Sequence, residues 1–150
     1  MFINLKKVYQ VDITKRETEL VKSLRDKAST LTTLVFLDEL VAGSEEEVLL
    51  LKILGAVNLS DSNYVFISRN NYPRLCLMHF DASIFTNLKN VIVFGLPSKA
   101  VGLNTITQKY VNMNIGKHQL LLADSLTILQ KEAALKGRLW NNLKTMYGVS

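Results

Sequence analysis

Three short runs of uninterrupted apolar residues constrain this chain more than anything else in it: Leu34-Val35-Phe36-Leu37, Tyr64-Val65-Phe66-Ile67 and Val91-Ile92-Val93-Phe94. A strand with one face in water alternates apolar and polar residues; a strand covered on both faces does not, and continuous runs of this kind belong to parallel sheets. The sequence therefore predicts strands at Thr33–Leu37, Asn63–Ser68 and Asn90–Leu96. Gln108–Ile115 and Gln119–Leu122 read as two further strands joined at Gly116-Lys117, and Leu75–Phe80 as an extended segment.

Between the strands the apolar period changes to that of a helix. Thr14-Lys15-Arg16-Glu17 has the form of a capping box, and Leu20, Val21, Leu24 and Ala28 continue it at helical spacing, which predicts a helix over Lys15–Lys27. Ser44-Glu45-Glu46-Glu47 is a second such box. The helix that it opens carries Leu49, Leu50, Ile53, Leu54 and Val57 on one arc, and Val48 and Leu51 widen that arc enough to predict burial on more than one side. Asp81 is expected to cap a short helix through Leu88. The chain ends in a helix near Ser125–Leu129 and a longer one from Ala133 to Tyr147. Strands alternating with helices predict one α/β domain over residues 1–150, with helices on both faces of a mainly parallel sheet. Residues 1–12 stand apart as an interaction segment, read either as flexible or as a first helix.

Composition sets the class. At 150 residues, 48% hydrophobic and 21% charged, the chain can bury a core without staples. Its lone Cys76 forms no internal disulfide. No apolar run approaches the roughly 20 residues of a membrane span, and the N-terminus lacks the order of a signal peptide, so a cytoplasmic protein is expected. The net charge of +5 favours an acidic partner, but the basic residues are scattered rather than interleaved with aromatics, and direct DNA binding is not expected.

Residues that could carry chemistry are few. Gly95-Leu96-Pro97-Ser98 lies at the carboxyl end of a strand, where open α/β sheets bind ligands, yet it lacks the second glycine of a phosphate cradle and reads better as a tight turn. His79 and His118 have no metal-ligand spacing around them; His79 reads as structural or as a partner of Asp81, and His118 as solvated. Cys76 sits among apolar neighbours that keep a thiol protonated. The carboxylates Asp38, Glu39 and Glu45–Glu47 are largely explained by the cap at Ser44. No catalytic set, metal or cofactor is expected. On the final helix, Leu135, Leu139, Trp140, Leu143, Met146 and Tyr147 share one arc with Lys136. Trp140 is expected mainly to pack on the core, and Lys136 to lay its stem there and lift its ammonium to water. The alternative is that Lys136 and Trp140 rim a partner or ligand groove. Phe2, Leu5 and Tyr9 fall on one helical face, as in helix-in-groove recognition.

Leu120-Leu121-Leu122-Ala123-Asp124-Ser125-Leu126, Leu135-Lys136 and Leu139-Trp140-Asn141-Asn142-Leu143-Lys144 together resemble the C-terminal part of the psi subunit family of bacterial DNA polymerase III. Glu46–Val57, Tyr64–Ser68 and Val91–Gly95 fall in the order of a divergent psi-like chain, so the resemblance spans roughly residues 31 to 148. It implies a three-layer α/β/α domain of the uracil-DNA glycosylase fold without that activity. The water-activating Gly-Gln-Asp-Pro-Tyr type motif and a His-Pro-Ser segment are both absent here, leaving nothing to orient water or assist uracil departure. It also implies a clamp-loader accessory that bridges the tau/gamma subunits to chi. One departure stands out: psi contacts the clamp loader through an N-terminal peptide with an aromatic anchor, and Met1–Asp12 holds Phe2, Leu5, Val8 and Tyr9 but no Trp. The sequence thus leads to a non-enzymatic psi-like adaptor, with a small-molecule or nucleotide-binding enzyme using the Gly95–Ser98 loop as the alternative.

Overall fold

The computed structural model describes residues 13–103 and 108–149. Phe2, Leu5 and Tyr9, and the whole segment 1–12, lie outside the described residues. Five strands form one sheet in the order β2-β1-β3-β5-β4: β1 (Thr33–Leu37), β2 (Tyr64–Ser68), β3 (Asn90–Phe94), β4 (Met113–Ile115) and β5 (His118–Ala123). The pairs β1–β2, β1–β3 and β3–β5 are parallel, and only β4–β5 is antiparallel. Every residue of β1 and of β3 is buried, as continuous apolar runs require.

Alternate residues divide those runs between two cores. Leu34, Phe36, Val91, Val93, Leu120 and Leu122 point to one side, where they meet α1 (Lys15–Ser23) and the 3-10 turn Leu24–Lys27 that extends it. Val35, Leu37, Ile92, Phe94, Leu121 and Ala123 point to the other. There they meet α2 (Glu45–Ala56), α3 (Leu126–Lys131) and α4 (Ala133–Tyr147). The result is an α/β protein with a mostly parallel mixed sheet, an arrangement compatible with three α/β/α layers. None of the described helices is long and apolar enough to cross a membrane.

Local chemistry sets the helix ends. Thr14 and Glu17 form the expected reciprocal box, at 3.1 Å from Glu17 N to Thr14 Oγ1 and 2.9 Å from Thr14 N to Glu17 Oε1. The second box is only half formed: Ser44 Oγ accepts from Glu47 N, but Glu47 Oε1 accepts from Gly43 N, one residue earlier than a capping box requires. Ser125 caps α3. Gly148, at φ 65°, ends α4 in the left-handed conformation that releases Val149 N to bond Lys144 O.

Four expectations fail in instructive ways. Leu75–Phe80 is not extended; it holds the 3-10 turn Leu77–His79, because Arg69 takes the carbonyls of Tyr72 and Leu75 and His79 Nδ1 takes the N–H of Cys76. Those are the backbone groups a strand would need. Asp81 opens no helix, since its carboxylate folds locally onto the N–H and hydroxyl of Ser83. Gln108–Ile115 is not one strand: Tyr110 stands at φ 60°, Lys109 makes a lone bridge to Leu122, and regular pairing begins only at Met113. Finally, α2 is covered on one side only. Leu50 and Leu54 face the core, whereas Val48 and Leu51 are 49% and 44% exposed.

Candidate functional site

The Gly95–Ser98 loop follows β3 where a ligand would enter an open α/β sheet. Here its backbone is occupied by the fold. Gly95 N donates to Ala123 O at 2.9 Å, so one arm of any anion cradle is taken. Gly95 has φ +73°, and a β-carbon there would stand 2.9 Å from Ser125 Cβ, so the cap of α3 fills the space above the turn. Pro97 has no N–H to offer. Ser98 is buried, Leu96 packs on the α1-side core, and Ser98 O accepts from Leu103 N. The loop is the tight strand-to-turn connection that its glycine and proline favour.

The histidines and the cysteine also have structural environments. His79 Nδ1 accepts the N–H of Cys76 at 2.9 Å, which fixes the ring and puts any ring proton of the neutral form on Nε2. Burial pushes the Cys76 thiol above its ordinary value even though the Arg69 guanidinium beside it pulls the other way. His118 is half-buried on β5 opposite Ile115 rather than solvated, and burial lowers its pKa, with Lys117 adding to the shift. Among the described residues, no group of three or more His, Cys, Asp and Glu side chains is placed to hold a metal.

The C-terminal helix is different. Leu139 and Leu143 are fully inside, fixing the rotation of α4. On one flank Tyr147 reaches the start of the sheet, its hydroxyl 2.7 Å from Thr33 Oγ1 and bonded also to the Asn90 side chain. Burial raises its pKa to about 12. On the opposite flank Asn142 Nδ2 donates to Tyr110 O, and the Arg138 guanidinium lies 4.8 Å from the centre of the Tyr110 ring. Tyr110 is itself held, its hydroxyl donating to Asp124 Oδ2 at 2.6 Å while Asp124 Oδ1 meets Lys109 Nζ at 2.6 Å. The helix is thus clamped on both sides, and its rotation about its axis is set.

That rotation places Trp140 on the Tyr147 side, at the boundary between core and water. It is half-buried and packed against the core that α4 covers. Lys136 is exposed one turn before it, and Lys144 one turn after it carries its Nζ to 6.0 Å from the indole centre, the outer limit of a cation–π contact. Lys136, Trp140 and Lys144 follow one another at four-residue steps, so they form a single stripe along the flank. Lys144 also lines an open depression with Asn141, Thr145, Gly148 and Val149, which prolongs the stripe past the helix end. An aromatic edge between two ammonium groups suits a chain that presents an apolar side chain together with carboxylates.

Sequence reasoning found Lys136 and Trp140 but passed over Lys144, although the spacing from Trp140 to Lys144 is the same as from Lys136 to Trp140. It also missed Glu17. That carboxylate is fully buried, its second oxygen accepting from Arg74 N at 2.8 Å. Burial pushes its pKa up, but backbone and side-chain bonds from Thr14 and the N–H groups of Arg74 and Leu75 outweigh this and hold it below the ordinary value. A capping box announces the Thr14 bonds, but nothing local announces a partner at Arg74. Compared with protein-family models and with curated proteins, the sequence matches none.

Proposed function

We propose that this chain is a non-enzymatic adaptor of the psi-subunit type, which uses the flank of α4 to hold an acidic, apolar segment of a replication partner. The observation that carries the reading is the Lys136–Trp140–Lys144 stripe, which lies on the segment whose residues resemble the psi family. A large aromatic ring kept at the water boundary, with cations on either side, has the make-up of an interface anchor rather than of a ligand pocket. The packed-down Gly95–Ser98 turn supports the same reading against a nucleotide-binding enzyme. The partners implied are the tau/gamma clamp-loader subunits and chi, met in the cytoplasm, with Phe2, Leu5 and Tyr9 as a second set of contacts. A uracil-DNA glycosylase-like topology belongs to this proposal, as does the loss of that activity.

The test is a binding titration of the purified chain against tau/gamma and chi, beside Trp140→Ala and the double variant Lys136→Glu/Lys144→Glu. Both variants are expected to stay folded and to lose affinity by tenfold or more, as truncated hot spots do at about 1.4 kcal/mol per tenfold. Full affinity in both variants would refute the role of this flank. Uracil release from DNA that depends on one residue of this chain would refute the non-enzymatic reading.

A further inference from the structure

The two margins of the sheet are not alike. At one margin β4 has only three residues, with Asn114 exposed at its centre and Lys109 and Lys117 close by in the chain. Short, charged margins are how sheets avoid pairing with other chains. The other margin, β2, is the five-residue run Tyr64-Val65-Phe66-Ile67-Ser68, with no charge, proline or bulge. Thr33 N bonds Asn63 O and Arg69 N bonds Leu37 O, so the odd-numbered residues face β1 and the backbone groups of Tyr64, Phe66 and Ser68 point outward. Ser68 O is taken by the N–H groups of Asn71 and Tyr72, and Tyr64 O receives Lys27 Nζ at 3.4 Å. Among the described residues, nothing pairs on that side with Phe66 N, Phe66 O or Ser68 N.

α2 overhangs the same margin. It is the crossover from β1 to β2, and Leu50 and Leu54 turn its inner face to the sheet. Glu46 Oε1, 3.3 Å from Thr127 Oγ1, turns one flank toward α3. The opposite flank carries Leu51 and Gly55 with Val48 beside them, and all three are exposed. A β-carbon at Gly55 would meet nothing within 4 Å. On the same side of the sheet lie the rings of Tyr64 and Phe66, half-buried and stacked with their centres 5.0 Å apart. The unpaired strand and the apolar flank are thus one continuous surface, of the kind that marks an interaction site. An added peptide strand would cover the first and leave the second in water. A second copy of this chain brings both a strand and a helix flank of the same make-up.

We infer that this chain pairs with a second copy of itself through β2 and α2, across a two-fold axis at Phe66. The two β2 strands run antiparallel, with Phe66 N and O exchanging bonds with their counterparts. Each Ser68 N donates to the Tyr64 O of the other copy, which has a lone pair left beside Lys27. The spacing fits both layers. Strands in a sheet lie about 4.8 Å apart, and a crossover helix over the groove between its strands stands about that far from the axis. The two α2 helices then lie about 10 Å apart, the separation of packed helices. They cross antiparallel, with Leu51 against its own copy, Val48 over the bare Gly55, and the acidic first turns at opposite ends. A short edge ladder alone falls below the roughly 1,200 Å² of a stable interface, and the helix flanks supply the remainder. The pairing depends on concentration, so the exposed α2 positions add little to the stability of the dilute chain. It uses no residue of the α4 flank and holds whatever that flank binds.

Sedimentation equilibrium of the full chain tests it, together with amide hydrogen exchange at Phe66 and Ser68. The expected result is a dimer with a dissociation constant in the micromolar range or below. In that dimer both amides exchange about tenfold or more slower than after dilution to the monomer. Leu51→Glu sets two carboxylates against each other at the axis, and Gly55→Lys fills the space that Val48 of the other copy takes. Each is expected to weaken dimerisation by about a hundredfold and to return the two amides to the monomer rate. Gly55→Lys also raises helix propensity, so it keeps the test open should Leu51→Glu fail to fold. A chain that stays monomeric at every concentration would overturn the inference. So would a dimer that both variants retain, or one in which Phe66 and Ser68 exchange as they do in the monomer, since each places the contact elsewhere.

Discussion

α2 and α4 lie in the same layer over the same sheet, yet they meet water with opposite chemistry. α4 confines its apolar residues to one arc and puts two lysines beside the tryptophan at its margin; from Ser125 to Ser150 its region holds Lys131, Lys136, Arg138 and Lys144 against Glu132 alone. α2 carries apolar residues on its outward side as well, and its carboxylates are gathered in its first turn and in the loop before it. The difference teaches how far a helical wheel can be trusted. Where polar residues bound the apolar arc, as in α4, the wheel gives the true inward face. Where they do not, as in α2, the wheel identifies residues that want cover without saying that the sheet supplies it.

The comparison breaks first at the core-facing positions, where the two helices should behave alike. Leu54→Ala in α2 and Leu143→Ala in α4 each remove a fully buried side chain and are expected to cost about 3 kcal/mol, read by chemical denaturation. If Leu54→Ala cost much less than Leu143→Ala, α2 would be a loosely docked helix rather than an equal part of the layer. Trp140→Ala is expected to cost about 2 kcal/mol, less than the loss of a wholly buried tryptophan because part of the ring already faces water. A loss as large as that of Leu143→Ala would make Trp140 a core residue and remove the argument for an anchor.

The clamp on α4 gives a comparably sized effect with a pH signature. Tyr110→Phe removes a hydrogen bond to a charged acceptor and is expected to cost about 2 kcal/mol near neutral pH. Asp124 is held below the ordinary carboxylate range by its bonds from Lys109 and Tyr110, against the opposing effect of burial. Because its folded pKa is the lower one, its contribution is complete above the unfolded value near 3.8 and disappears as pH falls through the folded value. Stability of the wild type should therefore fall more steeply than that of Asp124→Asn between about pH 5 and about pH 2. Parallel curves would show that Asp124 is not what fixes this side. The smallest effect belongs to the outward face of α2: Val48→Gln alone should move stability by about 0.5 kcal/mol or less, as exposed positions do. A larger change would mean that this face is packed more tightly than its exposure indicates.

Much of the fold is legible in the residues. Continuous apolar runs give β1 and β3 because a strand buried on both faces has no alternative pattern, and Thr14 with Glu17 gives the start of α1 because the box is local. The limits of α4 follow from its bounded arc and from Gly148. The stretch from Arg69 to Lys89 is not legible. Its course is held by individual side-chain bonds rather than by a repeating pattern: Arg69 folds locally onto the carbonyls of Tyr72 and Leu75, while Glu17 reaches Arg74 N and Asn87 reaches Ser29 O from far along the chain. No apolar period encodes such contacts, near or far. The stripe on α4 lies between these cases. Its spacing is written in the sequence, but its exposure depends on the clamps at Tyr147 and Asn142, which only the folded chain reveals.

The most direct test of the account is the affinity of the intact chain for the tau/gamma clamp-loader subunits, measured for the wild type and for Lys136→Glu/Lys144→Glu. Lys136 is exposed, whereas Lys144 gives up its contact with the indole and its favourable place in the last turn of α4, so the double variant should unfold within about 2 kcal/mol of the wild type and is compared where both are fully folded. The account predicts that it binds at least tenfold more weakly, and that added salt weakens the wild type far more than the variant. Equal affinity and equal salt dependence in the two proteins would contradict it.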